Sequence, residues 1–412
     1  PLSFAQERLW VLEQIDPGQS VYNSATEHHL TGALDVDALT EALSVIVARH
    51  DVLRTRIETG ADGLPVAVID PPAPAGVIQH DLRASERSAA EALIAQEAAR
   101  PFQLDQDLPY RVATYRLADA EWVLQIVFHH IAVDAWSVRC FRDELNELYA
   151  ATIAGRAAIL PELGTSHAAL ARSERERWRS GGFAEGLSAW AEELTAPRPA
   201  GLQPAVRADA DPHDSVVAER TLTSAQMATL REVCSTLKVT EYMVGLGVTA
   251  AVLAGEAGEG DVLVGALRAD RARRETRGVM GLLLNTVPLR LEVDADMSLA
   301  ALAEEARRST AMLFDHGDVP FDLIVDHVGA ARDRTTPLLD AAFGVEHPDD
   351  AGELALAGTS TDETIARIGG AKFDLDFILV SDGTRATIAV RGRASLFDQP
   401  QVERLADRWL EV

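Results

Sequence analysis

Val123-Leu124-Gln125-Ile126-Val127-Phe128-His129-His130-Ile131-Ala132-Val133-Asp134-Ala135-Trp136-Ser137 is the stretch whose reading decides the fold. Its first six residues are apolar except Gln125, and a run of that length reads as a buried strand. Beyond it, Val138, Phe141, Leu145 and Leu148 recur at spacings of three and four, one face of a helix. Two histidines and an aspartate therefore sit on a strand-to-helix turn. Such a turn presents side chains at a sheet end, near the positive end of a helix dipole. That environment suits a neutral imidazole and stabilises developing negative charge.

Working outward, strands and helices alternate on both sides. Ser3 to Leu12 reads as a short amphipathic helix with Ser3 as N-cap, Glu27 to Thr31 as a strand, and Asp35 caps a helix with Leu39, Leu43, Ile46 and Val47 on its apolar face. Ala89 to Ala99 reads as a helix, and Tyr110 to Leu117 with Trp122 to Phe128 as a strand pair. The stretch from Ala150 to Ser215 is poor in β-branched residues and contains Pro197-Arg198-Pro199 and Pro204, so the domain boundary is expected between about 165 and 205. After it come helices at Thr223 to Leu237, Tyr242 to Ala257 and Leu299 to Phe314. Strands are expected at Val262 to Leu267, Asn285 to Val293, Ala341 to Val345, Phe373 to Val380 and Thr387 to Val390. Neither half keeps strict βαβ order, which predicts two α+β lobes, residues 1–175 and 176–412.

Composition narrows the function. The chain has 412 residues, 47% of them hydrophobic, enough for two cores. Its formal net charge of -26 argues against nucleic acid and against anionic membrane as partners. Only Lys238 and Lys372 are lysines; the remaining basic residues are arginines, a bias we assign to coding composition. Cys140 and Cys234 lie far apart, with no metal or redox spacing, and read as thiols of a reducing compartment. No apolar run approaches the roughly 20 residues of a membrane span, and no leader pattern is seen. A cytoplasmic protein is the expectation.

Three uses of the histidine turn compete. Metal binding by His129, His130 and Asp134 is disfavoured, because neighbours at a strand end point to opposite faces and no further ligand completes a shell. The second use is structural, with both rings hydrogen-bonded in a core. The third is acid-base work, in which one neutral histidine faces a cleft and Asp134 fixes the turn. Asp134 then needs a cation. Arg290, in the largely apolar stretch Met280 to Arg290, is the expected partner, because a buried charge requires an opposite one.

These residues also resemble a family. His129 to Ser137 resembles the His-His-x-x-x-Asp core motif of the condensation domains of nonribosomal peptide synthetases, in the chloramphenicol acetyltransferase-like superfamily. Five further segments resemble the family's other motifs in the same order. They are Ser3 to Trp10, Arg49 to Thr55, Met280 to Arg290, His316-Gly317-Asp318-Val319-Pro320-Phe321-Asp322, and Arg332 to Leu338. The resemblance covers nearly the whole chain. It implies two chloramphenicol-acetyltransferase-like lobes in a V-shaped pseudo-dimer with a central tunnel. It implies that an acceptor amine on a downstream peptidyl carrier attacks a donor thioester on an upstream carrier. His130 would position the amine and shuttle a proton, with His129 and Asp134 beside it and Arg290, Asn285, Trp136, Ser137 and Arg54 in support. No cofactor or metal is expected in the domain itself, since the 4'-phosphopantetheine arms arrive on the carriers; an adenylation domain is the expected neighbour.

Departures from the pattern are Ala135, where the family commonly has glycine, and Ser166 to Leu170, a weak counterpart of the motif after the core helix. Arg391-Gly392-Arg393 also departs, lying where the family often has Glu-Tyr. Epimerisation and heterocyclisation relatives are disfavoured: the former's Glu-Gly-His-Gly-Arg segment is missing around Leu267 to Glu275, and the latter replace both histidines. A non-catalytic recruiting domain and a stand-alone acyltransferase remain as alternatives.

Overall fold

The computed structural model describes the chain apart from residues 196–201, 203, 205, 212, 259, 295, 331–336, 340, 351 and 369. Pro197-Arg198-Pro199 and the Arg332 to Thr336 part of the last motif thus lie outside the described residues. In chain order the elements begin with α1 (Phe4–Ile15), β1 (Asn23–Gly32), α2 (Val36–Arg49), β2 (Thr55–Thr59), β3 (Pro65–Ile69), β4 (Val77–Asp81) and α3 (Arg87–Ala99). There follow β5 (Tyr110–Ala118), β6 (Glu121–His129), α4 (Ala135–Ala154), α5 (His167–Arg179), α6 (Ala184–Glu193), β7 (Ser215–Thr221), α7 (Ser224–Leu237) and α8 (Glu241–Ala257). The rest are β8 (Asp261–Ala269), β9 (Leu284–Glu292), α9 (Leu299–His316), α10 (Phe321–His327), β10 (Ala341–Glu346), β11 (Thr359–Ile368), β12 (Leu375–Ser381), β13 (Ala386–Arg393) and α11 (Gln399–Glu411).

The chain divides into two compact α+β units. Unit 1 comprises Pro1–Glu176, Arg271–Leu283 and Asp349–Gly369; unit 2 comprises Arg177–Asp270, Leu284–Pro348 and Gly370–Val412. The sequence reading expected two continuous stretches. Two later segments instead belong with unit 1, and both matter to it. Asp349–Gly369 supplies β11, which pairs antiparallel with β1 to complete the sheet β11-β1-β6-β5-β4. Arg271–Leu283 supplies partners for the histidine turn.

In unit 1 the sheet owes its core to β6, where every residue from Val123 to His129 is buried. β6 lies between β1 and β5, both antiparallel to it, so its backbone groups are satisfied on both edges while its side chains stay dry. α2 buries Leu39, Leu43, Ile46 and Val47, the stripe expected from its spacing. Complete burial of one such leucine is worth about 1.5–3 kcal/mol. Asp35 caps α2 by accepting a hydrogen bond from the Ala38 N–H at 2.9 Å.

In unit 2 six strands run in the order β7-β13-β12-β10-β8-β9. β10 is parallel to both neighbours, and the other pairs are antiparallel. β9 is an edge, which is why Pro288 is tolerated inside it: its missing N–H faces no neighbouring strand. α8 is apolar nearly all round and buried along most of its length, so its lack of a polar face marks a core helix. No single helix among the described residues is long and apolar enough to cross a membrane.

Candidate functional site

The turn after β6 is built by backbone constraint on every side. The His129 N–H donates to the Pro109 carbonyl at 3.0 Å, and the His130 N–H to the Tyr22 carbonyl at 2.8 Å. Gln6, buried on α1 and part of the capping box with Ser3, donates from Nε2 to the Ile131 carbonyl at 3.2 Å. The first and third family-like segments are thus joined by one side chain.

The two histidines do different things. His129 is buried, its ring edge-on to Phe102 with 5.8 Å between centroids. Its Nδ1 accepts the Ile131 N–H at 3.1 Å, so in the neutral ring the proton sits on Nε2. His130 is half-buried, and its Nδ1 lies 2.7 Å from the Val133 carbonyl oxygen. A carbonyl only accepts, so Nδ1 carries the proton and Nε2 is the acceptor nitrogen of the neutral ring. The neighbouring rings are therefore opposite tautomers. The arrangement suits His129 to structure and His130 to taking a proton.

Asp134 is the N-cap of α4. Its Oδ1 accepts from the Ser137 N–H at 2.8 Å and lies 2.7 Å from the Ser137 hydroxyl. Oδ2 accepts from the Leu283 N–H at 3.2 Å. The cation opposite it is Arg271, not Arg290. Arg271 Nη2 donates to both carboxylate oxygens, at 2.8 and 2.9 Å. Both side chains are nearly completely buried, at 5% and 4% exposure. Arg271 also donates to the carbonyls of Thr276, Val279 and Gly281. Arg290 pairs with Asp261 within unit 2. The expected Asp134–Arg290 pair is thus corrected. Arg290 faces the carboxylate at the start of the neighbouring strand β8, whereas Arg271 stands on the segment that returns to unit 1.

Ser137 completes the clamp. Its hydroxyl is 2.9 Å from the Gly281 carbonyl, and it accepts the Gly281 N–H at 3.0 Å. Behind Gly281 lies His167, the first residue of α5. A Cβ on Gly281 would sit 2.0 Å from His167 Cδ2, so only glycine fits. Burial pushes the His167 imidazole below its ordinary range and keeps it neutral.

The other supporting residues serve elsewhere. Trp136 is exposed and donates from Nε1 to the Arg277 carbonyl at 2.7 Å. Arg54 donates to the carbonyls of Val47, Ala48 and Asp70, closing the C-terminal end of α2, and none of its bonds reaches the histidine turn. Its neighbours Arg49 and His50 hold Glu144 on α4, at 3.0 and 2.9 Å. Asn285 lies in unit 2. Its Nδ2 donates to the carbonyls of Gly317 and Val319 at 2.9 and 2.7 Å, and its Oδ1 accepts the Phe321 N–H at 3.1 Å. It therefore braces the His316–Phe321 turn, uniting two further family-like segments. Sequence reasoning missed Arg271, Gln6, Gly281 and His167. For Arg271 the only signal was the need of Asp134 for a cation, which several arginines met equally well.

Two α+β units, with a buried-aspartate clamp beside a histidine on a strand-to-helix turn, make up the architecture. The family model described as "Condensation domain" matches residues 1–412, and the chain belongs to that family. It is 31% identical over 420 residues to phosphinothricin tripeptide synthetase PhsC of Streptomyces viridochromogenes, covering 99% of this chain and 38% of that protein. It is 29% identical over 416 residues to chondramide synthase cmdD of Chondromyces crocatus, covering 98% of this chain and 10% of that protein. The chain thus spans well under half of these relatives. Among solved structures, the X-domain in its complex with OxyB from teicoplanin biosynthesis matches with a TM-score of 0.86 at 23% identity, covering 100% of this chain and 91% of the other. The first condensation domain of the calcium-dependent antibiotic synthetase, in complex with a substrate analogue, matches at 0.78 and 21%, covering 100% and 94%. At those identities the likeness is one of fold.

Proposed function

We propose that this domain forms amide bonds between two carrier-bound substrates of a nonribosomal peptide synthetase. The observation that carries the reading is the His130 tautomer, within a chain that belongs to the condensation family. With Nδ1–H given to Val133, the ring offers a lone pair at Nε2. That lone pair accepts an N–H of the acceptor's α-amine and orients its nitrogen toward the donor thioester carbonyl. As the C–N bond forms and the thiolate leaves, the amine proton passes to Nε2 and on to the carrier thiol. A neutral amine is already nucleophilic toward a thioester, so positioning supplies much of the acceleration. Asp134, Ser137 and Arg271 hold the turn and move no proton.

The substrates would arrive as thioesters on the 4'-phosphopantetheine arms of an upstream donor and a downstream acceptor carrier, next to an adenylation domain. Single-turnover assays with both carriers loaded test this. The dipeptide should appear on the acceptor carrier, and coenzyme A donors with free amines should give little product. Product only from the latter would make the domain a stand-alone acyltransferase.

A second reading rests on the TM-scores of 0.86 and 0.85 to the teicoplanin X-domain, one of those structures being a complex with OxyB. In that reading the domain recruits another enzyme and does no chemistry. Absence of amide product with every loaded carrier pair, together with stable capture of a tailoring enzyme from the same pathway, would favour it.

A further inference from the structure

The clamp behind the histidine turn contains a titratable group that the proposed chemistry does not use. His167, the first residue of α5, is 3% exposed. Its ring occupies the space that a side chain at position 281 would need. A Cβ there would sit 2.0 Å from Cδ2, 2.9 Å from Cγ and 3.0 Å from Nε2. The imidazole and the Gly281 backbone are therefore in direct contact. Gly281 in turn is bonded to the clamp on both sides of its own peptide. Its carbonyl accepts from the Ser137 hydroxyl at 2.9 Å and from Arg271 Nη2 at 3.2 Å, and its N–H donates to the same hydroxyl at 3.0 Å. Ser137 is held by Asp134, the cap of α4 that follows His130. A displacement of Gly281 thus reaches Asp134 through a single side chain.

Charged groups face the imidazole from three elements. Asp51 lies on the 3-10 turn Asp51–Arg54 after α2, and it also accepts the Ala168 N–H at 3.1 Å. Asp134 stands at the head of α4, and Arg271 on the returning segment. Both carboxylates are already engaged. Nε2 of His167 is buried and has no hydrogen-bond partner among the described residues. A proton added there would be a buried donor with nothing to accept it, and the imidazolium would be a second cation beside Arg271. Burial outweighs the pull of Asp51, of the Leu282 backbone and of Asp134, and holds the imidazole below its ordinary 6.5. The closed clamp refuses a proton that an opened one takes. Its closed form is therefore weakened as pH falls below that ordinary value. His167 also belongs to Ser166 to Leu170, a segment in which this chain departs from the family pattern.

We propose that His167 is a positioning residue for the histidine turn: neutral, it braces Gly281 and through it Ser137 and Asp134; protonated, it opens that clamp and frees His130 from its working position. Amide formation is then sensitive to acid at a second histidine, apart from the titration of His130. This rests on the proposed function for the reaction it governs, whereas the opening itself needs no substrate.

Amide exchange in the whole 412-residue chain reads the clamp directly. The N–H groups of Ser137, Gly281 and Leu283 donate to Asp134, Ser137 and Asp134 respectively. After correction for intrinsic rates, their protection should fall about tenfold between pH 7.5 and pH 5.5, because an opened imidazole is about tenfold more protonated than neutral one unit below its ordinary value. His167→Phe keeps a ring against Gly281 that takes no proton, and should flatten this response. His167→Asn, smaller and also neutral, should flatten it too and serves if the larger ring folds poorly. The other histidines are untouched in both variants and cannot imitate the difference. Single-turnover amide formation should show the same proton: the acid limb of the parent should be steeper than that of either variant by about tenfold per pH unit. Protection that does not change with pH in the parent, or changes equally in all three proteins, overturns the proposal. An acid limb equally steep in all three overturns it as well and leaves the proposed function standing. The exchange difference without amide product from any carrier pair sinks the proposed function and leaves the acid-opened clamp.

Discussion

Two arginine–aspartate pairs, one in each unit, look alike on paper and are physically different. Arg271 and Asp134 are both almost fully buried, and the arginine is further held by three backbone carbonyls. Arg290 and Asp261 join neighbouring strands β9 and β8, with a third of the aspartate side chain open to water. The first pair sits inside a network that also holds Ser137, Leu283 and Gly281, so it shapes a turn. The second fastens a sheet edge. The comparison teaches that an arginine in an apolar stretch reveals a need for a carboxylate but not which one. Solvent access, not the pairing itself, decides what each pair is worth.

The largest expected effect follows directly. Arg271→Ala leaves the Asp134 carboxylate buried and unpaired, which should destabilise unit 1 by about 3–5 kcal/mol in urea unfolding. The double variant Asp134→Asn with Arg271→Met should recover part of the loss, because no charge is then stranded. A single-variant loss under about 1 kcal/mol would place this pair in the same class as the Arg290 pair.

Next is His130→Ala. It removes a half-buried ring whose Nδ1 bond is to a nearby carbonyl, so stability should hardly change while amide formation falls at least about a hundredfold. His129→Ala should do the reverse: it empties a buried aromatic contact and should cost stability first. If both variants lost activity and stability in the same proportion, the distinction between the two tautomers would carry no functional meaning.

How much of this was legible in the sequence differs between the turn and its supports. The turn itself was readable because its signals are local: an apolar run, an Asp N-cap three residues before Ser137, and a helical stripe. Its supports were not, because they come from distant chain. β11 escaped notice since Thr359-Ser360-Thr361-Asp362-Glu363-Thr364 looks polar throughout, as an edge strand can be. α5 and α6 fell inside the expected boundary region, because Ala150 to Ser215 is rich in arginine, glutamate and proline; α5 buries only His167 and Ala171 along its length. Arg271 stands near Arg268, Arg273 and Arg274, and no periodicity separates the one that turns inward from those that do not.

The pH response should set the units against each other. Burial on β1 lowers His28 in unit 1 to about 3 from an ordinary 6.5. The unfolded chain thus binds a proton that the folded one refuses between those values, and stability falls as pH drops below about 6.5. At pH 5 this amounts to about 2 kcal/mol. Asp376 in unit 2 is shifted up, to about 6 from 3.8, so its contribution is fully present below 3.8 and is lost as pH rises through about 6. Going from pH 7 to pH 5 should therefore regain about 1 kcal/mol there. Native-state amide exchange, corrected for intrinsic rates, should show β1 and β6 loosening while β12 and β13 tighten. His28→Gln should flatten the first response only. Equal loosening of both sheets would mean that neither group governs its unit.

The smallest effect expected is that of Arg290→Ala, and it is the sharpest check on the comparison. Asp261 keeps water on one side once its partner is gone, so its charge is solvated rather than stranded. The arginine also donates to the Glu193 carbonyl at 3.2 Å, a bond at a part-buried position. A pair of this kind is worth about 1 kcal/mol or less. The cycle of Arg290→Ala, Asp261→Ala and the double variant should give a coupling within that figure, and 0.5 M salt should reduce it, since exposed charges are screened over about a Debye length. The same cycle on Arg271 and Asp134 should give several times as much and should ignore salt. If salt weakened both couplings alike, the Arg271 pair would be reached by solvent, and the closed clamp behind His130 would have to be redrawn as an open one.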